Sequence, residues 1–136
     1  MSFALDPRLA ADTRVIGDLP LSRALLMNDA RYPWVILTPR RLGAIEIRDL
    51  DIAERAQLME ELALVAATLR SLPDVEKINI GMLGNIVPQL HAHVIGRRSG
   101  DPAWPGPVWG VGRAIAYEAT TLDARLNWLK TKLRIG

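Results

Sequence analysis

The chain contains no cysteine. Disulfides, thiolate metal sites and a cysteine nucleophile are therefore excluded. Long apolar runs are missing too: nothing reaches the ~18 uninterrupted apolar residues of a membrane-spanning helix, so no membrane partner is expected. The segment from Met1 to Arg8 shows no basic region followed by an apolar run, so no export signal is read there. These features lead to the expectation of a cytoplasmic protein. A bias in charge is also lacking. Lys and Arg number 17 against 15 Asp and Glu, a net charge of +2. The only adjacent basic pairs are Arg40-Arg41 and Arg97-Arg98. Extended nucleic acid calls for a clustered basic stripe, and none is visible.

What is present is an ordinary globular composition, 49% hydrophobic and 24% charged over 136 residues. That length fits one domain, residues 1–136, with no internal repeat and no dividing linker. Residues 14–19 and 23–28 read as two short strands around Pro20, an antiparallel hairpin. Tyr32 to Thr38, apolar and β-branched before Pro39, reads as a buried strand. The spacing predicts a long helix over 51–70, with Asp51 as N-cap and Glu54 completing a capping box. Ile52, Leu58, Met59, Leu62, Val65, Ala66 and Leu69 would form its apolar face, and Pro73 ends it. Lys77–Met82 and Gln89–Ile95 read as two further strands around a turn marked by Gly81, Gly84 and Pro88. Residues 99–110 hold three Pro and three Gly and form a loop. A C-terminal helix over 121–132 follows, carrying Leu122, Leu126 and Leu129, with Leu133 just beyond it at the same spacing. The expected fold is α+β: about five mostly antiparallel strands, one long helix across them and a C-terminal helix.

Both histidines of the chain fall two residues apart, in Gln89-Leu90-His91-Ala92-His93-Val94-Ile95. Strand side chains alternate, so Gln89, His91 and His93 share one face and Leu90, Ala92 and Val94 the other. The polar face meets solvent, a partner or a ligand. Two histidines on a solvated strand need no further role. A ligand-facing pair is the alternative, supported by Asn79, Gly81, Gly84 and Asn85 just upstream. Glycine lets a backbone approach a phosphate closely, and asparagine amides donate to phosphate oxygens. The same segment also reads as a plain hairpin turn. Zinc is the rival occupant, but the strand supplies only two ligands, glutamine is a poor one, and no carboxylate lies just before the pair. No metal and no other cofactor is expected.

Gln89 to Arg97 resembles the signature of the histidine triad (HIT) family, in which three histidines alternate with apolar residues. Here Gln89 stands at the first of the three positions. The likeness extends over about residues 3–98: Asn79, Gly81, Gly84 and Asn85 resemble the family's residues before the triad, Leu25 to Asn28 and Tyr32 to Pro39 its strands around the nucleoside, and the segment from Asp51 its long helix. The resemblance implies a nucleotide ligand, with purine expected, and a homodimer. It implies that His91 is the nucleophile, attacking the α-phosphorus of a nucleotide ester, anhydride or amidate to give a nucleotidyl-histidine that water or another acceptor resolves. A hydrogen bond from the other His91 ring nitrogen to a backbone carbonyl would fix the reactive tautomer. The resemblance further implies phosphate contacts from His93, Gln89, Asn79 and Asn85, and nucleoside contacts from Asn28 and Leu26, with Phe3 or Leu5 against the base. Leu26 reads equally as core, and Asn28 as a turn residue. Glutamine carries no proton at neutral pH, so Gln89 can orient but not act as an acid. The resemblance therefore implies a hydrolase or nucleotidyltransferase, with a nucleotide-binding module lacking turnover as the alternative. Trp104 and Trp109 either cover a pocket, reach a partner's site, or pin their loop to its own domain.

Overall fold

A computed structural model describes residues 2–135. Its elements in chain order are α1 (Pro7–Asp12), β1 (Thr13–Asp18), β2 (Ser22–Met27), β3 (Trp34–Pro39), a short 3-10 turn (Ile47–Asp49), α2 (Ile52–Arg70), β4 (Lys77–Gly81), β5 (Ala92–Arg97) and α3 (Ala119–Lys132). The strands form one sheet in the order β1-β2-β3-β5-β4. Every neighbouring pair is antiparallel. The expected α+β class and five-stranded sheet are observed. β3 and β4 both run antiparallel to β5 and hence parallel to each other, which is why a long helix must link them.

That helix starts as the sequence indicates. The Asp51 side chain accepts from the Glu54 N–H at 2.8 Å, and the Glu54 side chain accepts from the Asp51 N–H at 2.9 Å. Two otherwise unpaired backbone donors are satisfied reciprocally. Leu58, Leu62, Val65 and Leu69 are buried against Ala24, Leu26, Val35, Leu37, Ala92 and Val94 of the sheet. Two expected members of this face point elsewhere. Ile52 is 79% and Met59 61% exposed, because the contact stripe is narrower than the apolar stripe. Leu129 of α3 and Leu133 at its C-terminal cap complete the same layer. Glu61 is a buried acid on α2 whose carboxylate accepts the N–H groups of Leu21 and Ser22, at 2.7 and 3.0 Å, and so ties the β1–β2 turn to the helix.

The opposite face of the sheet carries Leu9, Leu25, Trp34, Ile36, Ile95 and Val108. Here the chain after β5 crosses back over the sheet. The turn between β2 and β3 fastens it: Asn28 Oδ1 accepts from the Tyr117 N–H at 3.0 Å, and Arg31 Nη1 donates to the Val111 carbonyl at 2.8 Å.

The expected strand from Gln89 starts later, at Ala92. The ladder has no partners for Gln89 to His91. β3 pairing ends at Leu37 opposite Ala92, just before the end of that strand at Pro39, and β4 pairing ends at Gly81 opposite His93. The short helix α1 was not expected. No helix among the described residues is long and apolar enough to cross a membrane.

Candidate functional site

β5 and the residue that leads into it place His93 and His91 on the face away from α2. Ala92 and Val94 pack under the helix, while His91 and His93 point to the other side, each only 6% exposed. Their rings meet edge to face with centroids 4.9 Å apart.

Each imidazole is held by its Nδ1 atom, with opposite consequences. His91 Nδ1 lies 2.7 Å from the Gln89 carbonyl oxygen. A carbonyl only accepts, so Nδ1 carries the proton and Nε2 keeps a lone pair. His93 Nδ1 lies 3.0 Å from the indole nitrogen of Trp34. An indole only donates, so here Nδ1 carries the lone pair and Nε2 the proton. One ring thus presents a lone pair at Nε2 and its neighbour an N–H donor. Burial, with a further contribution from His91, pushes His93 down to about 4, so it is neutral at pH 7. Trp34 reaches it because Ile36 stands directly opposite His93 on β3 and Trp34 lies two residues earlier on the same face.

Trp109 closes one side. Its ring lies edge-on to His93 at 5.3 Å and to Trp34 at 6.4 Å. Gly81 permits this approach, since a Cβ there would sit 2.8 Å from the Trp109 ring. Gly84, at φ +69, shapes the turn that follows β4. Around these groups lies a cavity of about 470 Å³. Leu9, Met27, Ile36 and Val87 give it an apolar wall, and Gly84 and Asn85 line it beside the histidines. Arg8 and Asp12 are its charged side chains. A second depression of about 380 Å³ adjoins it, sharing Asp12, Met27, Trp109 and Gly110 and adding Asn28.

Of the residues singled out from sequence, His91, His93 and Asn85 come together in this cavity. Asn28 lines only the adjoining depression, with its side-chain oxygen engaged by Tyr117. Asn79 sits opposite Ile95, two pairs before Gly81 and His93 on β4, and accepts from Arg97 Nη1 at 2.7 Å. The same guanidinium is paired with buried Asp101. Leu26 is fully buried under α2, on the face away from the cavity; by strand alternation its neighbour Met27 lines the cavity instead. Gln89 turns its side chain outward. Its Oε1 accepts from the Asp6 N–H at 2.8 Å and its Nε2 donates to the Ala4 carbonyl at 2.9 Å. Leu5 packs on the cluster beneath the cavity, whereas Phe3 lies beside Arg23. Trp104 lies over Arg97.

Three contributors were not singled out from sequence: Trp34 and Met27, read only as members of their strands, and Arg8. Arg8 had a local signal, because Asp6 followed by Pro7 is a helix start, with Asp6 accepting from the Arg8 N–H at 2.8 Å. Trp34 had none, its partner being 59 residues away. Among the described residues, no three His, Asp or Glu side chains gather as a metal site.

The family model for the HIT domain matches residues 8–100. Among solved structures, a histidine triad protein from Bradyrhizobium japonicum is 49% identical, covering 98% of this chain and 99% of that one with a TM-score of 0.94. A histidine triad (HIT) protein from Sinorhizobium meliloti 1021 is 48% identical, covering 96% of each chain, with a TM-score of 0.92. A histidine triad protein from Marinobacter aquaeolei VT8 is 42% identical over 98% of each chain, with a TM-score of 0.95. No curated protein matches the chain.

Proposed function

The chain belongs to the HIT domain family, and from that premise we propose that it is a nucleotide-binding hydrolase or nucleotidyltransferase acting at the α-phosphate through a nucleotidyl-His91 intermediate. The observation that carries this reading is the opposed tautomers of the two histidines. His91 offers Nε2 as a nucleophile while Gln89 O holds Nδ1–H. His93 offers Nε2–H as a donor while Trp34 holds Nδ1.

In the first step the Nε2 lone pair of His91 forms a bond to the α-phosphorus. The bond to the leaving group breaks, and its electron pair departs with that group. The charge on the phosphoryl oxygens grows in the transition state, where His93 Nε2–H and the Asn85 amide donate to it. Removing one such preorganised donor typically costs ~10²–10³ in rate. In the second step water, or the hydroxyl of an acceptor, attacks the phosphorus, its proton passes to solvent, and the electron pair of the N–P bond returns to Nε2. Dividing one displacement into two is the gain of covalent catalysis. The apolar wall of Leu9, Met27 and Ile36 suits a nucleoside base, with purine our choice. Asp12, shared with the Asn28 depression, suits a ribose hydroxyl.

We also propose that the protein acts as a homodimer, with β4 at the interface. β4 is an edge strand, and Ile80 on it and Met82 and Leu83 just after it are exposed. An unpaired apolar edge is a ready surface for a second copy. Sedimentation should show a dimer that Ile80→Lys dissociates; a monomeric parent would contradict this.

The enzymatic reading is tested by incubating the protein with dinucleoside polyphosphates and a nucleoside phosphoramidate. Cleavage that His91→Ala abolishes, with ligand binding retained, supports it. Calorimetric nucleotide binding with no cleavage of any of these would assign a binding module instead.

A further inference from the structure

Gln89 occupies the first position of the motif, yet its side chain does not face the cavity. It brackets the N-terminal segment, accepting from the Asp6 N–H and donating to the Ala4 carbonyl. This bracket sets the start of α1, whose second residue is Arg8. Arg8 lines the same cavity as the histidines. Its Nη1 donates to the Ile86 carbonyl at 2.8 Å across the cavity mouth, and Asp6 fixes its other edge. Two of its five N–H donors remain free. The histidines lie deep, each 6% exposed, while the Arg8 side chain is 54% exposed. A phosphate at the histidines therefore shares its cavity with the solvent-facing Arg8 guanidinium.

The same geometry limits the leaving group. Glutamine has no acidic proton to transfer, and this one is committed elsewhere. His93 is held neutral by its burial and its Nδ1 is taken by the Trp34 N–H, and a neutral imidazole N–H is a feeble acid. An amine leaving from a P–N bond needs a proton on its nitrogen. A phosphate leaving from a P–O–P bond takes the electron pair as a stable anion and needs none.

We propose that Arg8, held at the mouth by the Gln89 bracket, binds the phosphate beyond the α-phosphate and selects nucleotide anhydrides over amidates. This rests on the nucleotide reading above. Asp6 tempers the charge of Arg8 without removing its free donors. The other charged wall residue, Asp12, lies where the cavity opens into the Asn28 depression and thus toward the nucleoside.

The test is calorimetry with AMP and ADP, and GMP and GDP in parallel, on the His91→Ala protein to prevent turnover. The diphosphate should bind about tenfold tighter than the monophosphate. Arg8→Gln should bring that ratio within about twofold while leaving monophosphate affinity unchanged, and Arg8→Lys should restore part of it. Gln89→Ala should lower the ratio as well and speed hydrogen exchange at the Asp6 amide. In the otherwise unaltered enzyme, Arg8→Gln should lower kcat/KM for diadenosine triphosphate more than for adenosine phosphoramidate. A ratio that Arg8→Gln leaves unchanged overturns the proposal while the nucleotide reading stands. Absence of binding by all four nucleotides overturns both.

Discussion

The indole N–H of Trp34 donates to His93 Nδ1 over 3.0 Å in a buried setting. This contact between β3 and β5 decides which His93 nitrogen carries the proton. It also occupies the lone pair at which the ring would take its second proton, and so adds to the burial that depresses the basicity of that ring. The tautomer thus depends on a residue outside the motif.

Trp34→Phe keeps an aromatic ring but removes the donor. His93 should then exchange between tautomers and become more basic, which nitrogen-15 NMR resolves directly. Turnover should fall by ~10-fold or more, in line with weakening one preorganised donor, while KM changes less. Stability should fall by ~1–3 kcal/mol from the unpaired buried acceptor. A variant with the parental His93 spectrum would contradict the assignment.

His93 also makes a pH prediction. Its folded value is about 4, below the ordinary ~6.5 of an unfolded histidine. Between these values the unfolded chain binds the proton and the folded chain does not. The contribution is therefore fully present above the unfolded value and is lost as pH falls toward the folded one. Up to ~3 kcal/mol is at stake over that window. Urea midpoints should drop from pH 7 to pH 4, and His93→Phe should flatten this slope. An equal slope in the variant would remove His93 as its source.

Gly81 should tolerate no side chain without disturbing the cavity. A Cβ would stand 2.8 Å from the Trp109 ring, which packs on His93. Gly81→Ala should shift Trp109 and raise KM several-fold, with a changed tryptophan fluorescence. Trp109→Ala in the same background should add little, because neighbours that share a contact are not additive.

Much of this was legible in the sequence, for identifiable reasons. The Asp51/Glu54 pair and the helical spacing after it located α2 because capping is local. The alternation through His91 and His93 gave their common face. Alternation alone did not show where β5 starts, since a ladder ends where its partners end, and β4 stops at Gly81. Nor did it give the face of Leu26: Leu26 packs under α2, leaving its neighbour Met27 for the cavity. The six residues of α1 are too few for periodicity to reveal. The Gln89 bracket and the Trp34 bond join residues 83 and 59 positions apart, and no local pattern encodes such contacts.

The central claim is that His91 Nε2 becomes bonded to phosphorus. The most direct measurement is rapid denaturing quench during turnover of diadenosine triphosphate, followed by mass spectrometry of the peptide spanning the motif. The account predicts one added adenylyl group, located on His91, acid-labile, and absent from His91→Ala. Steady cleavage with no adduct at any quench time, or an adduct on His93, would contradict it.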